Sequence, residues 1–516
     1  LYANDIPGVV ADMDEMRAYY YGGAFSHVVG YVSKVNQKDL DNEKNASETD
    51  FNLLHHPSFR IGKTGIERAF DKDLRGVAGG KKVEVDARGK VVAQDDEGSI
   101  EPVPGKDIVL TLDADIQQRA IEVFGQDSGS CVMMDIHTGE VLCMTSSPGF
   151  DPNLFVSGIS SDAYKLLHDY DRVPLLDKAL QGTYPPGSTF KTLVALAALE
   201  NGFDPKTTHT CNGVFPFGNH VFHCDSHHGT LDLHGAIVTS CDVYFYQCAL
   251  SVGPDKIAAL ARKFGLGQIF DIGIEGQKAG VVPDTAWKRA YFDGSKPWRP
   301  KDPKWQPGET PSMGIGQGFT NVNALQNCVA VSRLANGRKA VLPRLVKSVG
   351  GKPYKETEFE DLAADPSHIA FVRAAMADVV TSGTAAGFAK LDLGPIMMAG
   401  KTGTAQSHTI KSGSRATLHL EWEKRDHAWF VAFAPADAPK YAMSVIVQHG
   451  GWGSSSAAPK AREIMRMALL KDPEIQKRII GVNPADLVDK PLSDVPLPED
   501  DTGAAPPPPD TLPTST

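Results

Sequence analysis

Ser188 and Lys191 stand three residues apart, behind Tyr184-Pro185-Pro186-Gly187 and ahead of the apolar run Leu193 to Leu199. The prolines and glycine stop regular structure and the apolar residues are good helix formers, so the pattern predicts a buried helix beginning near Ser188. On such a helix the two residues share a face, which brings the amine within reach of the hydroxyl. Serine with lysine activates an alcohol nucleophile without histidine. Alone, the spacing has a bland counterpart, a capped helix with a lysine on its solvated side, because 52 Lys and Arg in 516 residues make chance pairs common. Two later elements change the weighting: Ser240-Cys241-Asp242 and Lys401-Thr402-Gly403-Thr404.

Acyl transfer through a serine explains why all of these are needed. The base must be neutral, yet at an ordinary pKa only about one lysine in 2,500 is neutral at pH 7, a penalty of about 4.6 kcal/mol. Burial, the positive end of the helix and a second ammonium at Lys401 disfavour charge on Lys191, while Asp242 holds it protonated. Which lysine carries the proton stays open at this point. Ser188 attacks a peptide carbonyl, with the oxyanion expected between the backbone N–H groups of Ser188 and Thr404. Ser240 relays a proton to the departing amine. Lys401, Thr402 and Thr404 offer charge and hydroxyls to a substrate carboxylate, and Gly403 lets the strand approach closely. Lys63-Thr64-Gly65 precedes the nucleophile and breaks the order. Nor is Gly62-Lys63-Thr64 a phosphate loop, because the glycine that motif requires is Pro57 here; a turn is expected instead.

The elements that must position these groups follow from the surrounding pattern. Residues 1–105 are charged and punctuated by glycine, with strands expected at His27 to Val32 and Lys82 to Asp86, an extended β-rich module. From residue 106 the texture changes: a strand over Ile108 to Leu112, a helix capped by Asp113, and a hairpin of Ser130 to Asp135 with Glu140 to Met144. Helices are expected over Leu231 to Thr239, Val243 to Leu250, Ile369 to Val380 and Ala461 to Leu470, with one ending at Asn336-Gly337. Strands are expected at Ile396 to Thr404, Ala428 to Phe433 and Tyr441 to Val447. Hairpins at both ends of a helical middle give an α+β fold, an α/β sandwich with an antiparallel sheet over 106–485. Residues 486–516, with Pro506 to Pro509, are too polar and proline-rich to fold.

A net charge of −11 without any basic stripe excludes nucleic acid as a partner. There is no apolar run long enough for a membrane span, and the sequence opens at Leu1, so a processed piece is expected whose anchor lay upstream.

The ordered motifs resemble those of the class B penicillin-binding proteins, in particular the rod-elongation branch. Phe59 to Glu67, Leu110 to Asp113, Ser147 to Asn153, Leu180 to Lys191 and Gly314 to Gly318 carry the resemblance, which extends over most of residues 1–470. It implies a penicilloyl-serine transferase (serine β-lactamase-like) fold on a pedestal, in the periplasm and anchored to the inner membrane. It also implies a D-alanyl-D-alanine stem peptide as donor, acylation by β-lactam antibiotics, no cofactor for catalysis, and a membrane glycosyltransferase and scaffold protein of the elongation complex as partners. The wider superfamily often has Asn where Asp242 stands; the acid resembles the elongation branch and leaves the proton route open. Rival readings are a D,D-carboxypeptidase or β-lactamase with the same acyl-serine, and a non-catalytic scaffold regulating a glycosyltransferase.

Cys211, Cys224, His228 and Cys241 are spaced Cys-x12-Cys-x3-His-x12-Cys in a loop between the first two motifs. Three thiolates and an imidazole complete a closed tetrahedral zinc site, structural because no position stays open. Cys241 lies between Ser240 and Asp242, so the metal would brace that motif; some members of the resembling branch carry metal near it. The alternative is a Cys211 to Cys224 disulfide, with Cys241 buried and His228 on a turn. His223, Asp225 and His227 are nearby substitute ligands. Cys131, Cys143, Cys248 and Cys328 fall in apolar patterns and read as core.

Overall fold

The computed structural model of the protein describes residues 16–43, 48–87, 91–299, 301–355, 358–406 and 420–479. The proline-rich tail lies outside the described residues, as does the extreme N-terminus. Among the described residues no helix is long and apolar enough to cross a membrane.

The helix α1 (Ala114–Phe124) starts where Asp113 accepts the backbone N–H groups of Asp115 and Ile116, as an N-cap acid should. It is followed by β1 (Gly129–Asp135) and β2 (Val141–Ser147), paired antiparallel. After α2 (Lys191–Glu200), α3 (Leu233–Val238), α4 (Asp242–Val252), α5 (Ala324–Asn336) and α6 (Pro366–Thr381), the chain returns to the sheet. There it forms β3 (Ala399–Ala405), β4 (His427–Ala434) and β5 (Tyr441–Val447) and closes with α7 (Ala458–Lys471). The sheet is antiparallel throughout, in the order β3-β4-β5-β1-β2. The two ends of the domain therefore meet at β5 and β1, and the helical middle is inserted between them.

Both sheet faces are covered, which is why β4 and β5 are nearly continuous apolar runs rather than alternating. Cys131 and Met133 of β1 join a core that includes Ile116 of α1 and Ile464 of α7. Val132 and Met134 point the other way, into a core with Leu325 and Val329 of α5. Helix α5 ends as expected, at Gly337 in the left-handed conformation with φ +73°.

Two expectations need correction. His27 to Val32 is a short helix, Ser26–Val29, followed by a strand, Val32–Lys34. Gly30 at φ +78° breaks the run, and a β-carbon there would lie 2.0 Å from the Thr64 carbonyl oxygen, so tertiary contact overrides the valines' strand preference. The Cys/His segment is not an open loop; it forms two antiparallel pairs, His209–Cys211 with Gly229–Leu231 and Val214–Phe217 with His220–His223. The N-terminal region packs on the rest through Val28, Ile66 and Phe70, which share the α5 core, while its hairpin Gly80–Val85 with Val91–Ile100 projects away, Val85 being 55% exposed.

Candidate active site

Ser188 sits in a 3-10 turn, Gly187–Phe190, and the α-helix proper starts at Lys191, later than the expected start near Ser188. Close contacts impose the tighter turn. Gly187 takes φ +54° and donates its N–H to the Gly316 carbonyl at 3.0 Å. Trp429 Nε1 of β4 donates to the Pro185 carbonyl at 3.0 Å, and Thr189 Oγ1 to that of Pro186 at 2.8 Å. A 3-10 turn eclipses residues three apart, so Ser188 and Lys191 stay on one side.

Lys191 is completely buried, and its amine turns toward the second motif. Nζ donates to Ser240 O at 2.6 Å, to Ser240 Oγ at 3.2 Å and to Asp242 Oδ1 at 2.6 Å. Three acceptors match the three N–H bonds of an ammonium. Among the described residues no hydrogen bond joins Ser188 Oγ to Lys191; instead of the direct contact expected from the helix spacing, the buried Lys191 bonds Ser240, which lines the same cleft as Ser188. Ser240 itself is strained: φ +59° in a non-glycine residue costs on the order of 1 kcal/mol and turns its carbonyl onto Nζ.

The third motif arrives on β3, beside the nucleophile turn. A β-carbon on Gly187 would lie 2.6 Å from Thr404 O, so the turn carrying the Ser188 N–H and the strand end carrying the Thr404 N–H are in contact. Gly403 is equally confined, its notional β-carbon 2.9 Å from Thr189 Cγ2 and 3.0 Å from Pro186 O. Gly403→Ala is expected to destabilise the protein by about 1–3 kcal/mol through overpacking, read as a lowered Tm. Lys401 is fully buried; burial, reinforced by the Lys191 charge, holds its amine well below the ordinary lysine value, against the opposing pull of Asp225 and Asp242.

Ser188, Ser240, Asp242, Thr402, Gly403 and Thr404 line one cleft of about 200 Å³. Sequence reasoning assigned no role to several of its other residues. Gln317 donates to Thr404 O at 3.2 Å, and Thr384 shares a 2.8 Å hydroxyl bond with Thr402. Asp426 and Trp452 also line it. Gln317 lies inside the Gly314 to Gly318 stretch, the one signal that pointed to it; the rest are remote in sequence.

The Cys/His residues also converge. Ligand atoms of Cys211, Cys224, His228 and Cys241 all lie within 4.8 Å of one another. His228 Nδ1 is 3.6 Å from Cys211 Sγ and 3.5 Å from Cys224 Sγ. A hydrogen bond with Cys241 draws the Cys224 thiol down to about 4, and the Asp242 N–H donates to its sulfur at 3.2 Å. The same Cys224 contact, with burial, pushes the Cys241 thiol far up. Among the described residues no two cysteines are joined as a disulfide.

Comparison with known proteins places this geometry in a family. Residues 129–466 match the penicillin binding protein transpeptidase domain, and residues 2–110 the penicillin-binding protein dimerisation domain. The chain is 38% identical to the peptidoglycan D,D-transpeptidase MrdA of Haemophilus influenzae, over 89% of this chain and 70% of that protein. It is 34% identical to the MrdA of Escherichia coli K12, over 90% and 72% respectively. Among solved structures, Pseudomonas aeruginosa PBP2 in complex with WCK 5153 superposes with a TM-score of 0.72 at 34% identity, covering 90% of this chain and 94% of that one. The Helicobacter pylori complex between PBP2 and MreC gives 0.75 at 30% identity, over 88% and 79%. The ordered serine, lysine and threonine motifs, the inserted helical middle and the extended N-terminal region thus have one common explanation: the chain belongs to the class B penicillin-binding proteins, the serine D,D-transpeptidases of peptidoglycan.

Proposed function

We propose that this transpeptidase crosslinks stem peptides during cell elongation, with Ser188 as its nucleophile. Ser188 Oγ attacks the carbonyl before the terminal D-alanine, the peptide bond breaks, D-alanine leaves as an amine, and an amine on a neighbouring strand then takes the acyl group. Lys191 first passes a proton to the Asp242 carboxylate 2.6 Å away; as the neutral amine it then takes the proton of Ser188 Oγ, and Ser240 relays it to the leaving nitrogen. The N–H groups of Ser188 and Thr404 receive the oxyanion. Thr402, Thr404 and Lys401 bind the substrate's terminal carboxylate, whose charge adds to the pull of Asp225 and Asp242 and favours the protonated Lys401 amine. One observation carries this reading: motifs more than 200 residues apart in sequence meet in a single cleft whose second motif is already hydrogen-bonded to the buried lysine of the first.

We further propose that Cys211, Cys224, His228 and Cys241 hold a structural zinc. Zn–S bonds of about 2.3 Å and a Zn–N bond of about 2.0–2.1 Å give a tetrahedron with edges of roughly 3.5–3.8 Å, which the two sulfur to nitrogen separations of 3.6 and 3.5 Å fit. When bound, the metal would supply only a brace for Cys241, between Ser240 and Asp242. For the domains we propose a pedestal over 1–105, a transpeptidase domain over 106–485 and a tail over 486–516. In the cell the proposed setting is the periplasmic face of the inner membrane, with a scaffold protein and a membrane glycosyltransferase as partners; the H. pylori PBP2 structure is a complex with MreC.

Incubation with a labelled penicillin, followed by intact-mass analysis and peptide mapping, tests the central claim. One covalent adduct per chain on the peptide containing Ser188, released slowly, is expected. Rapid turnover would instead mark a hydrolase, and an adduct elsewhere would remove Ser188 from its role.

A further inference from the structure

The acyl-enzyme must meet a second substrate, and charge distinguishes the two. The donor's tail is a carboxylate; the acceptor amine, with an ordinary pKa of about 10, arrives at neutral pH as a cation. By microscopic reversibility the entering amine occupies the place of the departing one, beside Ser240 and above Lys191. Of the carboxylates lining the cleft, Asp242 is buried and paired with Lys191 at 2.6 Å, and Asp426 is only 2% exposed.

Asp225 differs. It is exposed, its Oδ1 accepts from Cys224 Sγ at 3.5 Å, it lines the same cleft, and its carboxylate lies within 4.8 Å of that of Asp242. The connection between the strands His220–His223 and Gly229–Leu231 carries it, between Cys224 and His228, so the clustered thiols and imidazole fix where it stands. Its charge also acts on the buried Lys401. An acid at this rim does not assist the anionic donor tail. We infer that Asp225 is an acceptor-selecting residue of this transpeptidase, drawing the second substrate in as an ammonium ion beside the Ser188 ester. The inference rests on the transpeptidase reading and adds a substrate preference to it.

The full chain is acylated with a thioester donor and offered two nucleophiles together: D-lysine amide, cationic at neutral pH, and hydroxylamine, which is uncharged. Mass spectrometry gives the ratio of amide to hydroxamate product. Asp225→Asn is expected to lower that ratio about fivefold, the scale of an exposed ion pair in a cleft. Asp225→Glu is expected to keep the ratio, and high salt to erase the difference between unaltered protein and Asp225→Asn. A ratio unmoved in Asp225→Asn, or lowered equally in Asp225→Glu, would overturn the inference. So would equal losses to both nucleophiles accompanied by loss of bound metal, which would make Asp225 a support of its loop. Failure of the unaltered chain to form any Ser188 ester would instead overturn the transpeptidase reading, and the inference with it.

Discussion

Lys191→Ala is expected to slow acylation of Ser188 by roughly 100- to 10,000-fold, the range for losing a general base. Stability should fall in the same variant by about 3–5 kcal/mol, because a buried carboxylate loses its counter-ion. Lys191 is wholly buried and Asp242 nearly so, and their charged atoms are 2.6 Å apart. The two losses have different causes and can be separated. Adding Asp242→Asn to Lys191→Ala removes the stranded charge and should recover much of the stability while acylation stays near the floor. Denaturant unfolding and the rate of labelled-penicillin adduct formation, measured on the single and double variants, check both. If acylation recovered along with stability, Lys191 would be a structural cation and the proton would have to leave Ser188 by another route, with the buried Lys401 amine of the third motif the alternative.

Removing the zinc proposed for the Cys/His cluster is expected to have the next largest effect. Purified protein should contain about one zinc per chain, in line with a closed four-ligand site. At free zinc 1,000-fold above its dissociation constant, binding stabilises the fold by about 4 kcal/mol, and a chelator should remove that increment. Cys241→Ser should lose the metal and slow acylation as well, since residue 241 joins the strained Ser240 to the buried Asp242. Cys248→Ser, a core position outside the cluster, should keep its zinc. Metal analysis, thermal unfolding with and without chelator, and adduct formation give the readouts. A chain two hydrogens lighter and free of metal would mean that Cys211 and Cys224 are joined as a disulfide instead.

How much of this was legible beforehand depends on the range of the interaction that decides each feature. Helix α1 was readable because Asp113 caps the turn immediately after it, and the end of α5 because Gly337 adopts a conformation other residues resist. The β4–β5 hairpin was readable for the same local reason, two apolar strands around a proline-bounded turn. Local rules failed where a distant segment intervened. His27 to Val32 has the valines of a strand, but the close approach of Thr64 to Gly30 bends it into a helical turn. The nucleophile turn is tightened by Gly316 and by Trp429, neither near it in sequence.

By itself the sequence determined the kinds of group available and their order: a serine with a lysine one turn on, a second serine beside an acid, and a lysine-threonine strand, with three thiols and an imidazole in between. These are fixed by covalent identity and short spacing. Tertiary structure alone decided that the buried amine faces Ser240 and Asp242 rather than Ser188, and that Gln317 and Thr384 brace the third motif. It alone decided that Asp225 stands at the cleft's edge. The physical reason is that hydrogen-bond direction and burial depend on which surfaces packing brings together, and a spacing rule cannot see beyond its own helix or strand.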